Sequence, residues 1–172
     1  MKILHTADWH LDVSPTSAPR HEEHERMLDW LVELLEEENI EVLLHAGDVF
    51  DRVNPSNRAL RLFNRFMARL SELEALRQVI LISGNHDPDS FLEAQGHLMA
   101  ELAGVRVDVV CGSQLSSDDD HWSPTCLVPV QDEDGEFAAV VAAMPYVHRG
   151  RLGVRGADHC EHRQDRRHVK EG

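Results

Sequence analysis

Apolar positions along this chain follow two alternating rhythms. Aliphatic runs at 2–7, 40–46 and 78–83, each closed by Asp or Gly, read as short strands buried in a layered sheet. Between them, 21–38 carries Met27, Leu28, Leu31, Leu34 and Leu35 at i, i+1, i+4, i+7 and i+8, the stripe of an amphipathic helix. The stretch 56–76 repeats it with Leu60, Phe63, Met67, Leu70 and Leu73. Strand, helix, strand, helix, strand predicts an α/β fold with a mostly parallel central sheet flanked by helices. Further along, 89–102 predicts a helix and 105–110 a strand. Residues 126–130 and 137–143 predict a hairpin turned at Asp134-Gly135.

In parallel sheets of this kind, ligands bind beyond the carboxyl ends of the strands. Three polar segments fall there: Asp8-Trp9-His10, Gly47-Asp48 and Gly84-Asn85-His86-Asp87. Taken singly, an Asp or Asn at a strand end caps a helix or sets a turn. Three in succession, each behind a buried strand, favour one shared site. Carboxylate, imidazole and amide oxygen make a mixed donor set suited to Mn, Fe or Zn and unlike a thiolate zinc site. Asp8 and His10, two apart on an extended segment, point the same way and chelate one ion. Asp48, with two oxygens, bridges to a second. Two ions roughly 3.5–4 Å apart clamp a phosphate and activate water. His86 then contacts the phosphate or protonates the leaving oxygen.

Asp8-Trp9-His10-Leu11, Gly47-Asp48-Val49-Phe50-Asp51 and Gly84-Asn85-His86-Asp87 resemble the calcineurin-like metallophosphoesterases. The leading Leu4-His5-Thr6 and the Asp-Trp-His-Leu form resemble their SbcD/Mre11 branch of DNA repair nucleases, over about residues 1–110. The resemblance implies the layered metallophosphoesterase fold and manganese-dependent hydrolysis of DNA phosphodiesters in repair and recombination. The expected activities are 3′ to 5′ exonuclease on ends and endonuclease on single-stranded or hairpin DNA, with an SbcC/Rad50-like coiled-coil ATPase as partner. Carried over by motif, Asp8 and His10 hold the first of two Mn2+ ions, Asp48 bridges, Asn85 holds the second, and His86 is the catalytic histidine. Asp51 follows the bacterial form of its motif. Helices after the second and third motifs form the dimer contact in relatives. That assigns Leu60, Phe63, Phe66, Met67 and the stretch 91–102 to a homodimer surface; the competing reading is a stripe packed on its own sheet.

One departure stands beside the match. The family completes its site with a Gly-His and a later Gly-His-x-His segment, and no Gly-His-x-His occurs in this sequence. Gly96-His97, its only Gly-His pair, falls within the predicted helix 89–102, so His97 reads as a helix-surface residue. The chain therefore reads as the N-terminal portion of such a protein, with an incomplete phosphoesterase core at 1–147 and a basic His/Arg-rich tail at 148–172. His159 and His162 in that tail share one helical face; they either replace missing ligands or belong to a truncated helix end.

Charge narrows the partners. With 31 acidic against 17 basic residues the net charge is −14, which argues against non-specific adhesion to DNA over the whole surface. It leaves nuclease activity open, because cationic contacts can come from bound ions, another domain or a partner. No stretch approaches the roughly 20 apolar residues of a membrane span, and the start lacks a signal-peptide pattern, so no membrane association and a cytoplasmic location are expected. Cys111, Cys126 and Cys160 show no Cys-x-x-Cys pair and read as reduced thiols. The run Asp118-Asp119-Asp120-His121 reads as a solvated loop. His21 and His24 are expected to face solvent, and His5 and His45 to pack or hydrogen-bond behind the site. Three functions compete: a DNA phosphodiesterase, which Trp9-His10-Leu11 favours; a small-substrate phosphodiesterase on the same core; and a non-catalytic binding or dimerisation protein, which the absent histidines favour.

Overall fold

The computed structural model describes residues 1–13, 20–100, 104–114 and 126–147. The acidic run 118–121, Cys160 and the tail histidines lie outside them. Four parallel strands, β1 (Ile3–Thr6), β2 (Val42–Ala46), β3 (Gln78–Ile82) and β4 (Arg106–Val110), lie side by side in chain order. Helices α1 (His21–Glu37), α2 (Asn57–Leu70) and α3 (Asp89–Ala100) connect them. The strands are in step, with Ile3 opposite Val42, Val42 opposite Gln78 and Gln78 opposite Arg106. Their carboxyl ends therefore finish at one level, which brings the three polar segments to the same rim.

A β-α-β crossover is right-handed, so strands laid down in one direction across a sheet carry their helices on one face. Alternation along the strands agrees. Leu43, Val79 and Leu81 meet Leu28 and Leu35 of α1, Phe63 and Phe66 of α2 and Leu92 of α3 in one core. Val42, Ile80 and Val110 face the other way, onto an antiparallel hairpin of β5 (Leu127–Gln131) and β6 (Phe137–Ala142). Gly135 supplies the positive φ of +79° that the hairpin turn needs. The layers are thus helices, parallel sheet and hairpin, with the described helices all on one side.

Helix α2 ends at Leu70, short of the predicted 76. The hydroxyl of Ser71 donates to the Ala68 carbonyl and the chain turns back toward β3, while Leu73 still packs on the core. Phe63, Phe66 and Met67 are at most 2% exposed within the protein's own core. Of the two readings of this stripe, packing on its own sheet holds for these three residues.

His45, in β2, is fully buried with its ring centroid 4.1 Å from that of Trp9. Neither ring nitrogen has a hydrogen-bond partner, and burial pushes its pKa from 6.5 down to about 3. The unfolded chain therefore takes up a proton near pH 6.5 that the folded chain refuses until about pH 3. Stability is full above the first value and falls as pH drops through that window. His45→Leu is expected to raise the melting temperature and to reduce its loss between pH 7.5 and 5, where the linked cost is about 2 kcal/mol. Thermal denaturation at the two pH values checks this; an unchanged acid sensitivity overturns it.

Candidate metal centre

Beyond β1 and β2 the chains stay laced together without remaining strands. The Asp8 amide donates to the Gly47 carbonyl (2.9 Å), the His10 amide to that of Asp48 (3.0 Å) and the Leu11 amide to that of Val49 (2.9 Å). Asp8, His10 and Asp48 adopt φ of +56°, +43° and +57°. Such left-handed conformations cost about 1–3 kcal/mol each in non-glycine residues and cluster at functional sites. The expectation that Asp8 and His10 converge through an extended segment is corrected here: they meet because the backbone is coiled. Trp9, 5% exposed, anchors the coil by packing on His45 and Phe66 while its indole N–H donates to Thr6 Oγ1.

The coil brings His10 Nε2 to 3.6 Å from Asp8 Oδ1 and 3.8 Å from Asp48 Oδ2. On the other side of the ring, His10 Nδ1 lies 3.6 Å from Asp51 Oδ1 and is buried without a hydrogen-bond partner. These separations are too long for hydrogen bonds. They approach the roughly 3–3.4 Å between donors that share an ion at about 2.1 Å. Asp8, His10 and Asp48 form one group whose donor atoms lie within 4.8 Å of one another, and His10, Asp51 and His86 form a second. The orphaned imidazole nitrogen and the oxygen-rich surroundings fit a divalent cation.

The third segment is stitched to the second by two carboxylates. Asp48 Oδ1 accepts the His86 amide at 2.9 Å. Asp87, 6% exposed, accepts the amides of Phe50 (3.0 Å) and Gly84 (2.9 Å), and burial raises its pKa despite those bonds. A Cβ on Gly84 would sit 2.1 Å from Asp48 Oδ1, so only glycine lets the two segments close. His86 Nδ1 lies 2.7 Å from the Asp51 carbonyl, an acceptor, so Nδ1 carries the proton and Nε2 is the free nitrogen. That bond, aided by Asp48, Asp51 and Asp87, raises the His86 pKa. The His86 and His10 rings stand perpendicular, 5.2 Å apart.

Asn85 is exposed and lines a cleft of about 420 Å³ with Asn54, Asp87 and Tyr146. Asp8, His10 and Asp51 open on a separate cleft of about 440 Å³. His24 lines that second cleft and is 7% exposed, with its pKa lowered by burial, so the expectation that it faces solvent is corrected. The signal was present, since His24 leads the buried series Leu28, Leu31 and Leu35 at helical spacing. Sequence reasoning also passed over Asp87 as a structural clamp. His97 is exposed on α3, as expected. Buried Cys111 has its thiol pKa pushed up to about 12 by burial, which makes it inert.

A parallel sheet whose loops gather carboxylates and imidazoles at the strand carboxyl ends defines an α/β metal-dependent hydrolase class. Residues 1–143 match the calcineurin-like phosphoesterase family, and the chain belongs to it. That family works with divalent metals. The chain is 37% identical over 152 residues to the SbcD component of the SbcCD nuclease of Rhodobacter capsulatus, covering 88% of this chain and 36% of that protein. It is 38% identical over 102 residues to the same component from Escherichia coli K12, covering 59% and 25%. The corresponding Bacillus subtilis protein is 40% identical over 101 residues, covering 59% and 26%. The chain thus spans about a quarter to a third of these curated relatives. Among the described residues no helix is long and apolar enough to cross a membrane.

Proposed function

We propose that the chain acts as an SbcD-type, metal-dependent nuclease that hydrolyses DNA phosphodiesters, as a 3′ to 5′ exonuclease and a single-strand or hairpin endonuclease. The observation that carries this reading is the convergence of Asp8, His10 and Asp48 at 3.6–3.8 Å beside a pinned His86. Asp8 and His10 would hold one Mn2+, with Asp48 shared and Asn85 serving the second ion. When bound, the ions supply Lewis-acid stabilisation of the phosphate and lower the pKa of water. Asp48 does two tasks at once: Oδ2 lies 3.8 Å from His10 Nε2, where it would serve as a metal donor, and Oδ1 fixes the His86 backbone. With Nδ1 committed to the Asp51 carbonyl, His86 presents Nε2 to the leaving oxygen.

The partners in this reading are DNA, an SbcC/Rad50-like coiled-coil ATPase and a second copy of the chain, with the complex in the cytoplasm. Residues 1–147 serve as the nuclease core and 148–172 as a separate basic tail. A second reading, a non-catalytic member of the fold, is favoured by Asn85 lining a cleft separate from that of Asp8 and His10. Manganese titration of the purified chain separates the two. Two tightly bound ions per folded chain, with cleavage of a labelled oligonucleotide, is the expected result. One weak ion or none, without cleavage, supports the non-catalytic reading.

A further inference from the structure

Helices α1 and α2 are joined by a ladder of constant offset. Arg65 Nη2 donates to Glu25 Oε1 (2.7 Å) and Arg69 to Asp29, each pair 40 residues apart. A constant offset means that the helices run in the same direction. Continued one rung toward the helix starts, it sets Arg61 opposite His21, where the ladder has no carboxylate to offer. Arg58, Arg61 and Arg65, on one face of α2 at i, i+3 and i+7, line a groove of about 580 Å³ with His21 and Glu25.

Arg58 continues into an adjoining cleft of about 410 Å³ beside Arg20 and Arg26. Arg20 in turn lines the cleft that holds Asp8, His10 and Asp51. A cationic path therefore runs from the metal centre to the far end of the groove. Within it Arg20, Arg26 and Arg65 are paired with Glu23, Glu22 and Glu25. Arg58 and Arg61 are exposed, and among the described residues neither forms an ion pair within 4.0 Å. An arginine on a helix surface is ordinarily just solvated. Here two exposed guanidinium groups, of which Arg58 acts on Glu25 only at longer range, lie in the first turns of α2, beside the start of α1, where the helix dipoles add positive potential. They do so in a chain of net charge −14 and on a path to the metal centre. Guanidinium forks match phosphate oxygens bidentately.

We propose that Arg58 and Arg61 bind the phosphate backbone of a nucleic-acid strand whose scissile phosphate lies at Asp8, His10 and Asp48. The site rests on the nuclease reading and deepens it: the preferred substrate is a strand with several phosphates, in place of a small phosphodiester. The test is fluorescence anisotropy of a labelled single-stranded oligonucleotide with the full chain, in chelator so that no hydrolysis occurs, across about 50–200 mM salt. The double variant Arg58→Gln/Arg61→Gln is expected to bind more weakly and to lower the slope of log affinity against log salt by about 1.4, two contacts at about 0.7 each. Arg58→Lys/Arg61→Lys is expected to recover that slope, with unchanged circular dichroism in both variants. Affinity and slope unaffected by the glutamines overturn the proposal, as does a wild-type chain that fails to bind the strand. Displacement of the strand by polyglutamate as readily as by polyphosphate overturns the commitment to phosphate. Cleavage measured separately with Mn2+ keeps the two readings apart: binding loss without cleavage in the wild type fails the nuclease reading alone, and cleavage with unaltered binding fails this site alone.

Discussion

Asp48→Ala is expected to lose both metal binding and turnover, whereas His86→Ala loses turnover and keeps its ions. Asp48 faces His10 Nε2 with one oxygen and holds the His86 amide with the other. In the proposed roles, its removal takes away a metal donor and frees the His86 segment together. Metal affinity should fall by more than the about 10–100-fold that follows loss of a residue merely orienting a ligand. His86 is fixed through Nδ1 to the Asp51 carbonyl; if it acts through Nε2 as the proposed proton donor, its truncation should slow hydrolysis by about 10²–10⁴. Isothermal titration with Mn2+ and hydrolysis of a labelled oligonucleotide read the two effects. Asp48→Asn separates charge from anchoring, because the amide oxygen can still accept the His86 N–H. If His86→Ala sheds metal as fully as Asp48→Ala, His86 is a ligand and the assignment of roles fails.

The second large effect is on stability. Asp87→Ala is expected to destabilise the protein by about 2–6 kcal/mol, since the amides of Phe50 and Gly84 each lose an acceptor at a cost of about 1–3 kcal/mol. At about 2–4 °C per kcal/mol for a chain of this size, the melting temperature should drop by roughly 4–24 °C. Asp87→Asn keeps one acceptor oxygen and should fall between. Phe50 is fully buried against Phe63 and Phe91, so losing its tether disturbs the core as well as the rim. A melting temperature within 2 °C of wild type, an allowance below the roughly 2–4 °C expected per kcal/mol, would show that water or a shifted backbone replaces the carboxylate.

Much of the architecture was legible because it is locally encoded. The aliphatic runs before Asp8, Gly47 and Gly84 placed the strands, and the spacing of Leu28, Leu31 and Leu35 placed α1, since burial on a sheet or helix face imposes its own period. What periodicity could not say was which apolar face meets which layer. Phe66 and Met67 suited a second copy of the chain as well as their own sheet, and the one-sided crossovers decided for the sheet. His24 looked polar in sequence, yet it is buried at the head of the stripe it extends.

For the candidate centre, residue type and position at strand ends nominated Asp8, His10, Asp48, Asn85 and His86; the structure groups Asp8, His10 and Asp48, sets His86 beside His10, and leaves Asn85 on a separate cleft. By itself the sequence determined the α/β class and the order of elements and nominated a donor set, because side-chain chemistry and burial period are properties of short segments. Only the tertiary structure decided that Asp8 and His10 meet through positive φ, that Asp87 clamps Gly84 to Phe50, and that Arg61 faces His21 across two parallel helices. Those relations join residues as much as 40 positions apart, through amides and helix register that carry no local signature.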